Sequence, residues 1–179
     1  MYNINLPNFP EYIDDEYGHL SIIRLPAFAG MQTTSASYGA VPELGSSIGN
    51  THAMSNKHLE PKIFQSAILW VIEHDAEIRS KLFASLVDQY WEMRDVAIEC
   101  LMDEDPDKIL PEIKNPEDLA PLCRLLALHI GGMNDAGEPF FGIELNCNWE
   151  DEHGAGVQFE GLRVIQVGDA SIAFRFSES

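Results

Sequence analysis

The pattern of this chain predicts an α+β fold, an antiparallel sheet packed against a helical pair. Two observations carry that expectation. Apolar residues recur at helical spacing between Pro61 and Leu101, and they alternate at strand spacing from Phe141 onward. A third sets the scale: 179 residues, 45% of them hydrophobic, suit one domain with a full core rather than a disordered chain. The expected layout is a single domain, 1–179. It comprises an N-terminal strand and mobile loop (1–56), a helical pair (57–102), an acidic connector (103–121) and a β meander (122–179).

In chain order, His19 to Leu25 reads as a strand cut off by Pro26. Residues 31–56 are rich in Ser, Thr, Gly and Ala and carry one charge, Glu43. They read as a long mobile loop or a weak hairpin around Ser37-Tyr38-Gly39. Gly45-Ser46-Ser47-Ile48-Gly49 matches a nucleophile elbow by letter, but its context is wrong. Ala40 to Leu44 contains Pro42 and Glu43, and the polar stretch Asn50 to Asn56 has no helical stripe, whereas an elbow needs a strand before it and a helix after it.

Pro61 suits a first helical turn, and Ile63, Phe64, Ala67, Ile68, Val71 and Ile72 mark one apolar face. Asp75 is expected to cap a second helix, whose stripe runs Ile78, Leu82, Leu86, Tyr90, Met93, Ala97 and Leu101. Two antiparallel helices are the expected arrangement, and one long bent helix is the alternative. The Met and aromatic residues of these stripes read as core packing, not as a cofactor box. In the connector, Asn115-Pro116-Glu117-Asp118 has the composition of a short helix start: a capping residue, proline at the first position, then carboxylates on the positive dipole end.

Leu122 to Ile130 is nearly all apolar, as a strand covered on both faces would be. Gly131 to Gly137 supplies a turn. Phe141, Ile143, Leu145, Cys147 and Trp149 then form an apolar row, against Gly142, Glu144, Asn146 and Asn148 on the other face. The polar row continues into Glu150 and Glu152, after which Gly154 and Gly156 are expected to bend the chain in a tight reversal or bulge. Val157 and Phe159 resume the alternation, Arg163 to Val167 reads as a strand, and Ile172, Phe174 and Phe176 give a last one.

Trp149-Glu150-Asp151-Glu152-His153-Gly154-Ala155-Gly156-Val157 concentrates an aromatic anchor, three carboxylates, an imidazole and two glycines. Here the chain resembles an uncharacterised bacterial family, a domain of unknown function with a W-[DE]-x-E-H-G-x-G-[VL] signature. In that family a short hairpin ending in V-x-x-G-x-A follows, to which Val164 to Ala170 is loosely similar. Pro61…Gln65 and Tyr90 also look similar to the family pattern, and the clear likeness spans residues 122–176. The resemblance implies the fold and a kinship with accessory or toxin-immunity proteins. It brings no catalytic residues with it.

Cys100, Cys123 and Cys147 are odd in number and lack C-x-x-C spacing, so they read as reduced core residues. With no signal-peptide pattern at Met1-Tyr2-Asn3-Ile4-Asn5 and no apolar run of bilayer length, a cytoplasmic location is expected. The net charge is −18, and each of the segments 1–56, 57–102, 103–122 and 123–179 is negative. That sign argues against nucleic acid and anionic membrane surfaces and would steer cationic partners toward the chain.

Trp149, Glu150, Asp151, Glu152 and His153, with Glu144, Asn146 and Asn148, form the candidate binding set. No catalytic residue, metal ligand or cofactor is assigned. His153 or Glu152 is expected to hydrogen-bond turn amides and fix the bend beneath Trp149. The alternative is a small metal-dependent hydrolase, with Glu150, Asp151, Glu152 and His153 around an ion or Glu152 and His153 as an acid/base pair. His129, in an apolar strand, reads as a satisfied core or edge histidine. The functional expectation is a non-enzymatic, acidic interaction protein, an immunity- or antitoxin-like inhibitor of a basic partner such as a toxin. No oligomeric state is implied.

Overall fold

Residues 13–15, 18–31, 48–100 and 105–176 are described by the computed structural model of the chain, apart from the side chains of 13–15, 97, 100, 106, 109 and 151. Among them seven strands form one sheet in sequence order. These are β1 (Ile13–Asp15), β2 (Gly18–Arg24), β3 (Asn50–Asn56), β4 (Cys123–Met133), β5 (Pro139–Cys147), β6 (Glu150–Glu160) and β7 (Arg163–Gly168). Neighbours run antiparallel except β3 and β4, which are parallel. A parallel pair needs a long crossover rather than a hairpin, and helices α1 (Pro61–Glu73) and α2 (Asp75–Cys100) supply it. The architecture is the expected α+β layering, with one parallel joint in a sheet otherwise antiparallel.

Strand β3 departs from the expected loop. Asn50–Asn56 lies between β2 and β4, where Thr51, His52 and Ala53 are all buried. Its polar composition is tolerated because a partner is at hand: the Thr51 hydroxyl donates to the Leu126 carbonyl at 3.3 Å, where β4 bulges. A strand thus follows Gly49, which removes the helix that the Gly45–Gly49 letter match would need. The hairpin expected around Ser37–Gly39 and residues 45–47 of that match lie outside the described residues.

A single residue, His74, separates α1 from α2, and its ring stacks on Trp70 at 4.0 Å. Antiparallel helix pairs need a loop of two to five residues, so the two helices form a bent succession, the second of the expected arrangements. Asp75 does not cap its own helix. Its carboxylate accepts the Ala27 N–H at 2.8 Å while Arg79 donates to the Ala27 carbonyl at 2.6 Å, pinning the short turn Pro26–Phe28 to α2.

The core lies between α1, α2 and one sheet face. Phe64, Ile68, Val71, Ile78, Leu82, Leu86 and Tyr90 from the helices meet Ile23, Leu128, Phe141, Ile143, Leu145, Val157 and Phe159 from the strands, all essentially inaccessible. Phe141 and Phe159 are register partners and stack with centroids 4.9 Å apart. Burial of each such large side chain is worth about 1.5–3 kcal/mol.

The connector contains the expected short helix, a 3-10 segment Pro116–Leu122. At its start the Asp118 carboxylate accepts the backbone N–H groups of Lys114 and Asn115 at 2.8 and 2.9 Å. Those bonds favour the ionised form and hold the carboxyl below its ordinary pKa.

The last expected strand does not form. Residues Ala170–Phe174 make a 3-10 helix whose cap, Asp169, accepts the Ser171 N–H at 2.8 Å. The segment Asp169–Phe176 lies as a strap across the second face of the sheet instead of extending it. Among the described residues no helix is long and apolar enough to cross a membrane.

Candidate functional site

The register of β5 against β6 sets the geometry of the signature. Cys147 pairs with Glu150 across the turn Asn148-Trp149, and the next pair is Leu145 with Ala155. Asn146 alone therefore opposes residues 151–154, which form a wide bulge. The reversal precedes the acidic run rather than following it, and Gly154 and Gly156 sit inside a continuous strand. Gly154 is the bulge's hinge: its φ is +64°, and a Cβ there would stand 2.3 Å from the Leu145 carbonyl oxygen.

Trp149 is 3% exposed and meets Tyr90 of α2 edge-on at 5.2 Å. Tyr90 in turn donates its hydroxyl to the Pro111 carbonyl, and burial raises the pKa of that hydroxyl. The indole thus ties the hairpin turn to the helix layer, although its Nε1 is buried without a partner. Beside it, the free thiols of Cys123 and Cys147 lie 3.9 Å apart, and burial pushes the Cys147 thiol well up.

The bulge amide is held by Glu150, not by His153 or Glu152 as expected. Glu150 Oε1 accepts the His153 backbone N–H at 3.2 Å and lies 3.2 Å from its Nδ1. The carboxylate therefore fixes the bulge, while the imidazole, 68% exposed, projects into solvent. Glu152 is exposed, and the side chain of Asp151 lies outside the described positions. Asn148 is exposed in the turn, its N–H donating to the Leu122 carbonyl at 3.0 Å. The amide nitrogen of Asn146 is buried without a partner.

Glu144 belongs to a second cluster, on the sheet face away from α1 and α2. Its Oε2 lies 2.7 Å from His129 Nε2, with both side chains largely covered. Glu144 is in register with Ala127, and His129 with Gly142, so the pair is diagonal. Sequence reasoning missed it because the contact depends on the β4 bulge at Leu126. By alternation from the core residue Ala53, His52 points to this face too, and burial lowers its pKa.

Beside this pair runs a track of glycines, one on each of four adjacent strands. A Cβ on Gly142 would stand 2.0 Å from the Ala173 carbonyl oxygen, and one on Gly156 2.5 Å from that of Asp169. On Gly168 it would meet Ile172 at 2.8 Å, and on Gly131 the Phe176 ring at 2.6 Å. All four are closed by the strap. Buried Gln158 donates to the Arg175 carbonyl at 3.0 Å, and Phe174 leans on the His129 ring at 5.3 Å.

Glu150 and His153 contact each other, but among the described residues no three His, Cys, Asp or Glu side chains come together as a metal-binding group. The arrangement offers a fixed bulge, an exposed imidazole and a strapped trench in the sheet.

Residues 41–174 match the model of a family described as a domain of unknown function, DUF6985, and the chain belongs to that family. The match takes in both helices, the signature bulge and the strap as far as Phe174. Comparison with curated proteins and with solved structures gives no match.

Proposed function

With membership of the DUF6985 family as premise, we propose that this domain is a non-enzymatic acidic interaction protein, an immunity- or antitoxin-like inhibitor of a basic protein partner. The observation that carries this reading is the solvent face of α2. Asp88, Glu92, Asp95 and Glu99 are exposed there, and among the described residues none of them takes part in an ion pair. Asp88/Glu92 and Asp95/Glu99 are four apart and Glu92/Asp95 three apart, spacings at which like charges each destabilise a helix by about 0.2–0.5 kcal/mol. Asp95 and Glu99 also stand near the helix C-terminus, the negative end of its dipole, and the last turn holds no basic residue. A helix shaped only for its own stability would carry these charges at the other end. A cationic surface docked along the ridge offsets that repulsion, and the chain's net charge of −18 steers such a partner in.

The test begins with capture of the partner on the immobilised chain and its identification by mass spectrometry. Stopped-flow association is then followed from about 20 mM to about 500 mM salt, where screening shortens from roughly 20 Å to a few ångströms. The expected result is an on-rate that falls on the order of tenfold or more. An on-rate indifferent to salt removes charge as the basis of recognition.

A further inference from the structure

We infer that Cys123 and Cys147 are a redox pair, which peroxide oxidises to a cross-strand disulfide stapling β4 to β5 at the root of the signature turn. The two residues are register partners, Cys123 opening β4 and Cys147 closing β5. Asn148 donates its N–H to the Leu122 carbonyl, which marks 122/148 as a hydrogen-bonded pair. Such pairs alternate along an antiparallel ladder with non-hydrogen-bonded ones, so 123/147 is of the second kind, in which facing side chains come closest. Facing Cα atoms are then about 4.5 Å apart, within the span that a disulfide bridges. The Sγ atoms themselves stand 3.9 Å apart, both as free thiols. An approach of about 2 Å completes the bond.

The position gives the bond something to act on. Cys147 is also the register partner of Glu150, whose carboxylate accepts the His153 N–H of the bulge. Trp149, two residues on, carries the contact to Tyr90 of α2. The disulfide therefore ties down the strand end from which turn and bulge both hang, and it closes residues 123–147 into a loop. Two thiols and one hydrogen peroxide give one disulfide and two waters. One thiolate attacks peroxide, breaking the O–O bond to leave a sulfenic acid and the first water. The second thiol attacks that sulfur, forming the S–S bond and releasing the second water; sulfur is oxidised and peroxide reduced. Cys123 is inaccessible and Cys147 is 4% exposed, so only a small oxidant reaches them through the folded chain. Burial also pushes the Cys147 thiol up, which makes the reaction slow beside that of an exposed thiolate.

The test uses the full chain carrying Cys100→Ser, in which these two thiols alone remain. Treated with hydrogen peroxide at about pH 8, it should lose both thiols together and yield, after proteolysis, one peptide pair joined through Cys123 and Cys147. Adding Cys147→Ala should abolish the internal link. Two thiols that persist, or that pass to sulfinic acid without a joined peptide, overturn the inference. The equilibrium is then read in glutathione redox buffers. Closure should be favoured about a hundredfold more in the native chain than in urea, the factor by which a well-fitting staple stabilises a fold. Equal closure in urea would show that the strand geometry does not favour the bond, and would also overturn the inference. Hydrogen exchange separates a switch from an inert cross-link. The Asn148 amide should exchange at least about tenfold more slowly in the oxidised form and recover on reduction with dithiothreitol, because the strand end can no longer open locally. Unchanged exchange there is the contrary result. Should Cys100→Ser not fold, peptide mapping of peroxide-treated wild type decides: a link between 123 and 147 supports the pair, and links only through Cys100 refute it.

Discussion

Truncating Trp149 removes the indole that joins the β5–β6 turn to Tyr90, leaving a cavity between two layers. Trp149→Ala is expected to cost about 3–5 kcal/mol in urea denaturation with an unchanged slope. His153→Ala lies at the other extreme. Its ring is exposed and lies beside the Glu150 carboxylate, and pairs of that kind contribute about 0–1 kcal/mol. Stability within about 0.5 kcal/mol of wild type is expected, as for surface positions generally, and a larger loss would mean the imidazole holds the bulge after all. Glu150→Ala should lose about 1 kcal/mol, the net worth of the hydrogen bond its carboxylate accepts from the His153 N–H. Alternation along β5 made the anchoring role of Trp149 legible in the sequence. That Glu150 rather than His153 or Glu152 holds the bulge amide is not legible there, because which side chain faces that amide depends on a register shift that adjacent residues do not encode.

At the level of elements, the helices and the β5–β6–β7 meander follow from periodicity, which is why Pro61, the Ile78–Tyr90 stripe and the Phe141–Trp149 row lie where expected. Strand β3 is hidden by polar side chains that otherwise signal a loop; its backbone pairs with β2 and β4, and Thr51 finds a carbonyl on β4. The strap reads as a strand because Ile172, Phe174 and Phe176 alternate, while three of the four glycines it covers, Gly131, Gly142 and Gly156, lie on earlier strands. The start of the short helix Pro116–Leu122 is legible, since its cap is local, and it carries a pH prediction. Asp118 has a folded pKa below its unfolded one, so its stabilisation is present above the unfolded value and is lost as pH falls through the folded value. The difference in Tm between wild type and Asp118→Asn should be positive at neutral pH and close toward zero below the ordinary carboxylate range. A difference that persists in acid would assign the effect to something other than ionisation.

For the molecule as a whole, eighteen net negative charges make self-repulsion a standing cost, greatest at low ionic strength. The hydrophobic core outweighs it, but the repulsion should still show in melting curves. Raising salt from about 10 mM to about 500 mM should increase Tm, because exposed like charges are screened within a few ångströms at the upper limit. The α2 ridge is where the sequence-wide charge acquires a position. The variant Asp88→Asn, Glu92→Gln, Asp95→Asn, Glu99→Gln relieves three close like-charge spacings, together about 1 kcal/mol. For a chain of this length that corresponds to a rise of about 2–4 °C in Tm at low salt. The same variant should respond less to added salt than wild type does, because part of what salt screens has been removed. It should also associate more slowly with a basic partner, which separates a ridge kept for binding from one that is merely solvated. A variant that melts lower than wild type would show that the carboxylates support the helix, and the case for a cationic partner along α2 would then lose its physical basis.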